Sequence, residues 1–142
     1  MQRVIILSVL LMALQIRVFG QSIHKDSIKG NFIEFGNGGG FTGQSKNYVL
    51  TRSGDLYFIK NILADEHTLE YLKKVKSCTV KKIFRYAEKN KITELRYNNP
   101  GNLFQYMTLI INNKTNRLVW ESSDSATPEN IITLYTRLYN LL

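Results

Sequence analysis

The chain has 142 residues, of which 44% are apolar and 21% charged, with one cysteine, two prolines and a formal charge of +8. These proportions exclude a disordered polar chain, a disulfide-framework miniprotein and a collagen-like chain. The length suits one domain with an ordinary hydrophobic core.

Residues 1–20 read as a secretory signal peptide. Arg3 supplies the positive start, Val4 to Leu14 form an apolar run broken only by Ser8, and Val18 and Gly20 are small enough for a leader peptidase. The run has roughly 11 residues against the ~20 a membrane-spanning helix needs, and no later segment is long and apolar enough to span. The expectation is an exported protein, periplasmic or secreted, with no transmembrane span after cleavage and a single domain over 21–142 (ordered core about 31–142). Removing 20 of the 142 residues, Arg3 and Arg17 among them, leaves 122 with a charge of +6. Cys78 is the only cysteine, so no intramolecular disulfide staples the fold.

In chain order, Ile33 and Phe35 at period two predict a short strand over Asn31 to Phe35. The glycine-rich stretch Gly36 to Gly43 follows. Lys46 to Thr51 and Leu56 to Ile59, joined by Arg52-Ser-Gly-Asp55, read as a β-hairpin. From Glu66 the period turns helical: Leu69, Leu72 and Val75 share a face, and the series resumes at Val80, Ile83, Phe84 and Ala87. The slip between them predicts a break near Ser77 to Thr79. Asn98 to Asn102 is loop chemistry around Pro100. Leu103 to Ile111 and Arg117 to Trp120 predict a second hairpin around a turn at Asn112 to Asn116. Thr127 as N-cap and Pro128 at the first helical position open a last helix with Ile131, Leu134, Tyr135, Leu138 and Leu142 along one stripe. The fold class is therefore α+β, a single domain with an antiparallel sheet of about five strands (β, β-hairpin, α(α), β-hairpin, α) and helices packed on it.

The glycine stretch matches two nucleotide motifs by letter. Gly38-Gly-Gly40-Phe-Thr-Gly43 spells G-x-G-x-x-G, and Gly38 to Ser45 falls one residue short of a P-loop, with Gln44 where the lysine belongs. Both motifs need a helix directly after the glycines, because its N-terminus holds the anion. Tyr48-Val-Leu50 reads as a strand, so neither fits. A strand-edge bulge or wide turn is the better reading, with backbone that an extended partner can pair against. Phe41, in its middle, is expected to be a core plug rather than an exposed anchor, since aromatic residues are usually buried.

Catalytic chemistry is sparse. His67 and Glu70, at i, i+3 spacing near Asp65 and Glu66, read as a solvated helix N-terminus rather than a metal site, which needs three or four converging ligands. His24 makes a copper-chelating N-terminus only if cleavage leaves Ser22-Ile-His24. Cys78 is expected to be a small buried hydrophobe. No paired carboxylates or nucleophile triad can be placed, so no catalytic, metal-binding or cofactor-binding residue is assigned and an enzyme is the less favoured class. Charge says more. Residues 71–96 carry nine basic groups against Glu88 and Glu94, and Lys82, Arg85 and Lys89 lie opposite the Val80, Ile83, Phe84, Ala87 stripe. Such a face either keeps a protein soluble or attaches it to an anionic surface. Without a nucleic-acid-binding motif, nucleic acid is not expected as a partner.

Ile33-Glu-Phe-Gly-Asn-Gly-Gly-Gly-Phe-Thr-Gly43, with Tyr48-Val-Leu50, Gly54-Asp-Leu-Tyr57, Pro100-Gly-Asn102, Trp120 and Pro128, resembles an uncharacterised family of small exported bacterial proteins. More distantly, Gly39-Gly-Phe-Thr-Gly43, Tyr106-Met-Thr-Leu-Ile110 and the helix after Pro128 are similar to emfourin, a small inhibitor of thermolysin-like metalloproteases. The chain departs from emfourin in its leader, its basic middle, its Pro100-Gly-Asn102 loop and Trp120. The resemblance implies a protein partner, a protease in its most concrete form. The expected site is the glycine loop, Gly38, Gly39, Gly40, Phe41, Thr42 and Gly43, with the adjoining strand edge. The alternatives are an envelope-associated structural protein held by Lys82, Arg85 and Lys89, and a small hydrolase or metal-binding protein.

Overall fold

A computed structural model of the chain describes residues 23–24, 27–41, 44–63 and 66–142. The expected leader, Thr42, Gly43, Asp65 and Ser22 lie outside the described residues. The strands are β1 (Ile23–His24), β2 (Phe32–Gly39), β3 (Lys46–Thr51), β4 (Asp55–Leu63), β5 (Glu66–Lys74), β6 (Asn98–Asn99), β7 (Leu103–Ile111) and β8 (Lys114–Glu121). Two helices, α1 (Ser77–Lys89) and α2 (Glu129–Tyr139), and a 3₁₀ turn over Ile92–Glu94 complete the described elements. The strands form one sheet in the order β1-β5-β4-β3-β2-β7-β8-β6.

The fold is α+β, as expected, with more strands than about five: eight among the described residues, two of them only two residues long. Nor is the sheet wholly antiparallel, because β6 lies parallel to β8. The strands β2 to β5 form a meander. The chain then crosses through α1 to the far edge, and β7 returns to pair with β2. That return makes β2 a central strand, bonded to β3 through Phe32–Asn37 and to β7 through its full length.

Both helices cover one side of the sheet. Helix α1 buries Val80, Ile83, Phe84 and Ala87, a stripe at i, i+3, i+4 and i+7. Helix α2 buries Ile131, Leu134, Tyr135 and Leu138. They meet Ile33 and Phe35 of β2, Leu50, Leu56, Met107, Leu109, Leu118 and Trp120. Each such side chain contributes about 1.5–3 kcal/mol when fully buried. The Trp120 ring stands edge-on to Tyr135 at 5.2 Å, and its Nε1 donates to Gln105 Oε1 at 2.9 Å. The Tyr135 hydroxyl donates to the Gly36 carbonyl at 3.1 Å, tying α2 to β2.

The other side carries no helix among the described residues. Its apolar cluster, Phe32, Val49, Ile59 and Leu69, is smaller, and Ile28 packs on it from the segment that leads into β2. The Glu34 side chain lies beside this cluster at 7% exposure.

Several local expectations are corrected. Glu66 to Lys74 is a strand, not a helix: it forms an extended ladder with β4, and Tyr71 meets the Tyr57 ring edge-on at 5.7 Å. A bulge at Leu72 puts an extra residue into β5, so its alternation breaks and Leu69, Leu72 and Val75 mimic a helical period. The break expected near Ser77 to Thr79 is the strand-to-helix junction, with α1 starting at Ser77. The β7–β8 turn needs only Asn112 and Asn113, both at positive φ, as a two-residue hairpin turn requires. Pro128, rather than Thr127, is the residue flanking α2, and no side chain caps that helix. Leu142 lies beyond α2 and is exposed rather than part of its buried stripe. Among the described residues no helix is long and apolar enough to cross a membrane.

Candidate functional site

The glycine stretch divides into two parts. Gly38 and Gly39 are not a loop but the last residues of β2, opposite Phe104 and Leu103 of β7. Gly40 follows, its N–H donating to the Asn102 carbonyl at 2.8 Å. The backbone on the β7 side is therefore already bonded, and the strand beside it is central. The expected strand edge is absent because β7 occupies it. Gly39 has φ +99°, and a Cβ there would collide with the Asn102 carbonyl oxygen. The glycine is required by conformation and close approach.

Phe41 is fully exposed, so it is not a core plug. Leu103, more than half exposed, lies close enough for its Cδ2 to be the nearest atom to a Cβ built on Gly40. Phe41 and Leu103 are thus two exposed apolar side chains on either side of a backbone contact between Gly40 and Asn102.

At the foot of the β2–β3 hairpin, on the helix-free side, lies a concavity of about 340 Å³ that the sequence reading missed. Along β2 this side presents Glu34, Gly36 and Gly38 in alternation. Gly36 has Asn47 and Tyr106 as its cross-strand partners, and a Cβ on it would collide with the Lys46 carbonyl oxygen. The absent side chains at Gly36 and Gly38 let Asn47 and Phe104 lie close over the strand. Ser45, Asn47, Ile59 and His67 line one side of this trough, and Phe104, Tyr106 and Arg117 the other.

The polar groups there are ordered. The Tyr106 hydroxyl donates to Glu34 Oε1 at 2.9 Å, and both side chains are buried. Burial, then the Glu34 charge and hydrogen bond, push the Tyr106 phenol far above its ordinary pKa, so it stays a donor. The Arg117 guanidinium lies over the Tyr106 ring at 4.4 Å and donates from Nη1 to Thr108 Oγ1 at 3.1 Å. Asn47 Nδ2 donates to Ser45 Oγ at 3.1 Å, whereas Asn47 Oδ1 is buried and accepts no hydrogen bond.

The remaining sequence candidates fall apart or stand alone. His67 and Glu70, three apart on a strand, project to opposite sides. His67 lines the trough, and Glu70 pairs with Lys60 at 2.7 Å. Among the described residues no three His, Cys, Asp or Glu side chains come together as a metal site would require. Cys78 is exposed in the first turn of α1, not buried, because the apolar stripe begins two residues later at Val80. Lys82, Arg85 and Lys89 are exposed on α1 opposite its buried stripe, as the spacing predicts. No family model and no curated protein sequence matches the chain.

Proposed function

We propose that this is an exported, non-enzymatic binding domain that docks on a protein partner with the tip of its β2–β3 hairpin, inhibition of a metalloprotease being the concrete form. The observation that carries the reading is Phe41, fully exposed one residue after the Gly40 N–H held by the Asn102 carbonyl. Aromatic residues, Phe among them, are enriched at the core of binding interfaces. A clamped base lowers the ordering cost of docking. The resemblance of Gly39 to Gly43 and of the C-terminal helix to emfourin supports a protease as the partner.

The test is titration of a thermolysin-like metalloprotease with wild type and Phe41→Ala. Wild type should slow peptide hydrolysis saturably, and Phe41→Ala should inhibit at least about tenfold less, equivalent to 1.4 kcal/mol. No inhibition by wild type, or equal inhibition by both, overturns the reading. Glycine substitutions are poor probes here because Gly39 supports the fold itself.

A second reading rests on the basic face. Lys82, Arg85 and Lys89 take part in no ion pair among the described residues, so their charge is offered outward. In this reading the domain is held at an anionic envelope surface. Cosedimentation with anionic vesicles should then weaken steeply as salt rises past about 0.1 M. A flat response removes it.

A further inference from the structure

Resting on the reading of the basic face above, we infer that the outer ridge of α1, joined by Arg137 of α2, docks a linear anionic polysaccharide. Lys82, Arg85, Tyr86 and Lys89 stand at i, i+3, i+4 and i+7, a stripe opposite the buried one of Val80, Ile83, Phe84 and Ala87. The three cations are exposed and Tyr86 is half-buried. Arg137, also exposed, holds its guanidinium over the Tyr86 ring at 4.3 Å. Tyr86 is the i+4 neighbour of Lys82 and lies three residues before Lys89, so it shares a surface patch with both. The ring contact therefore brings a cation from a second helix, far outside the basic run of residues 71–96, into the middle of the stripe.

Four cations elsewhere on the molecule, Arg52, Lys60, Lys74 and Lys114, each have a carboxylate at 2.7–2.9 Å. Among the described residues none pairs with Lys82, Arg85, Lys89 or Arg137. Glu88, the one acid of α1, is taken by Arg52. Like charges at i, i+3 and i, i+4 repel, and Lys82 with Arg85 and Arg85 with Lys89 are such pairs. An anion laid along the stripe removes that repulsion.

The length of the stripe selects the kind of anion. Lys82 and Lys89 are seven residues apart, about 10 Å along the helix axis. A single phosphate or sulfate group cannot span that distance, whereas charges repeated along a chain meet every cation. A bilayer is the weaker occupant. Helices that lie in a membrane surface sink an apolar face into it, but the apolar stripe of α1 is packed on the sheet. Charge alone remains, and four cations at an anionic leaflet give a dissociation constant of only about 1 mM. A flexible polymer follows the ridge, and each cation it meets releases a condensed counterion. For an exported domain, the linear polyanion within reach is a sulfated or carboxylated polysaccharide rather than nucleic acid.

The experiment follows the fluorescence anisotropy of labelled dextran sulfate titrated with the protein, at salt from about 50 to about 200 mM. Unlabelled dextran sulfate, neutral dextran, polyglutamate, oligothymidylate and phosphatidylglycerol vesicles serve as competitors. Binding should saturate, and log K should fall against log salt with a slope of about −3, as four ionic contacts to a flexible chain give. Neutral dextran should not compete. Arg137→Gln should weaken binding about fivefold and make the slope shallower by about 0.7. Arg137→Lys, which keeps the charge, should bind nearly as wild type. Lys60→Gln makes the same change in net charge at a paired position and should have little effect. The inference is overturned if dextran sulfate does not bind saturably, if Arg137→Gln matches wild type, or if Lys60→Gln is as harmful as Arg137→Gln. It is also overturned if polyglutamate, oligothymidylate or vesicles compete at a lower charge concentration than unlabelled dextran sulfate does. Binding to vesicles alone would remove the polysaccharide and leave the anionic-surface reading standing; binding to neither would remove both.

Discussion

On the helix side, β2 presents Ile33 and Phe35, both fully buried. On the other side the same strand presents Phe32, Glu34, Gly36 and Gly38, a sequence that runs from apolar to charged to nothing at all. The helix side closes because two amphipathic helices bring Ile83, Phe84, Leu134 and Leu138 onto it, and any polar group there would lose water without gaining a partner. The other side carries only a small apolar cluster at one end, so polar side chains and missing side chains are tolerated at the other. The lesson is one of division. The helix side holds the fold together, and the helix-free side has latitude to carry polar groups.

The comparison breaks most readily at Trp120, buried between β7 and α2. Trp120→Ala should cost about 3–5 kcal/mol, read by urea denaturation. Phe104→Ala, on a half-buried ring across the sheet, should cost clearly less; equal losses would mean that both faces carry the fold alike. Gly39→Ala tests the seam between the two regions. It forces a Cβ into a positive-φ site against Asn102, and a loss of about 1–3 kcal/mol is expected in thermal unfolding.

Tyr106→Phe sharpens the contrast from the helix-free side. It removes a donor from the buried Glu34 carboxylate and should cost about 1–2 kcal/mol, with the cost shrinking in a Glu34→Gln background. A constant cost in both backgrounds would mean that the two side chains are not coupled.

Acidity gives a smaller effect. The Ser53 hydroxyl, at 2.6 Å, and then Lys74, at 2.9 Å, hold the Asp55 carboxyl below its ordinary range. A carboxyl depressed by folding stabilises the protein above its unfolded pKa, about 4, and that contribution disappears as pH falls through the folded value. The stability gap between wild type and Asp55→Asn should therefore narrow below about pH 4. Phe41→Ala should change least, within about 0.5 kcal/mol, because the ring touches solvent only. A larger loss of thermal stability would show that the tip is part of the fold.

Much of the helix side was legible in the chain itself. The stripes Val80, Ile83, Phe84, Ala87 and Ile131, Leu134, Tyr135, Leu138 follow the period of an α-helix, and Ile33 and Phe35 follow that of a strand. The trough was not legible. Glu34, Asn47, Tyr106 and Arg117 lie on four different strands and are far apart in sequence, and only strand pairing makes them neighbours. The β5 strand was misread for a related reason: its bulge erases the period-two signal, and its identity comes from hydrogen bonds to β4. Phe41 was misjudged because aromatic burial is a statement about averages, whereas its position depends on how far the hairpin extends past β7.

Hydrophobic periodicity and turn chemistry, which act over a few residues, determined from sequence alone that this chain folds as α+β and which faces of α1 and α2 are buried. The tertiary structure decided that β2 is central, that its glycines pair with β7 instead of forming an open edge, and that Phe41 is exposed. The reason is that a strand's neighbours are chosen by long-range pairing, and nothing local to residues 32–39 encodes that β7, some 70 positions on, will close its free side.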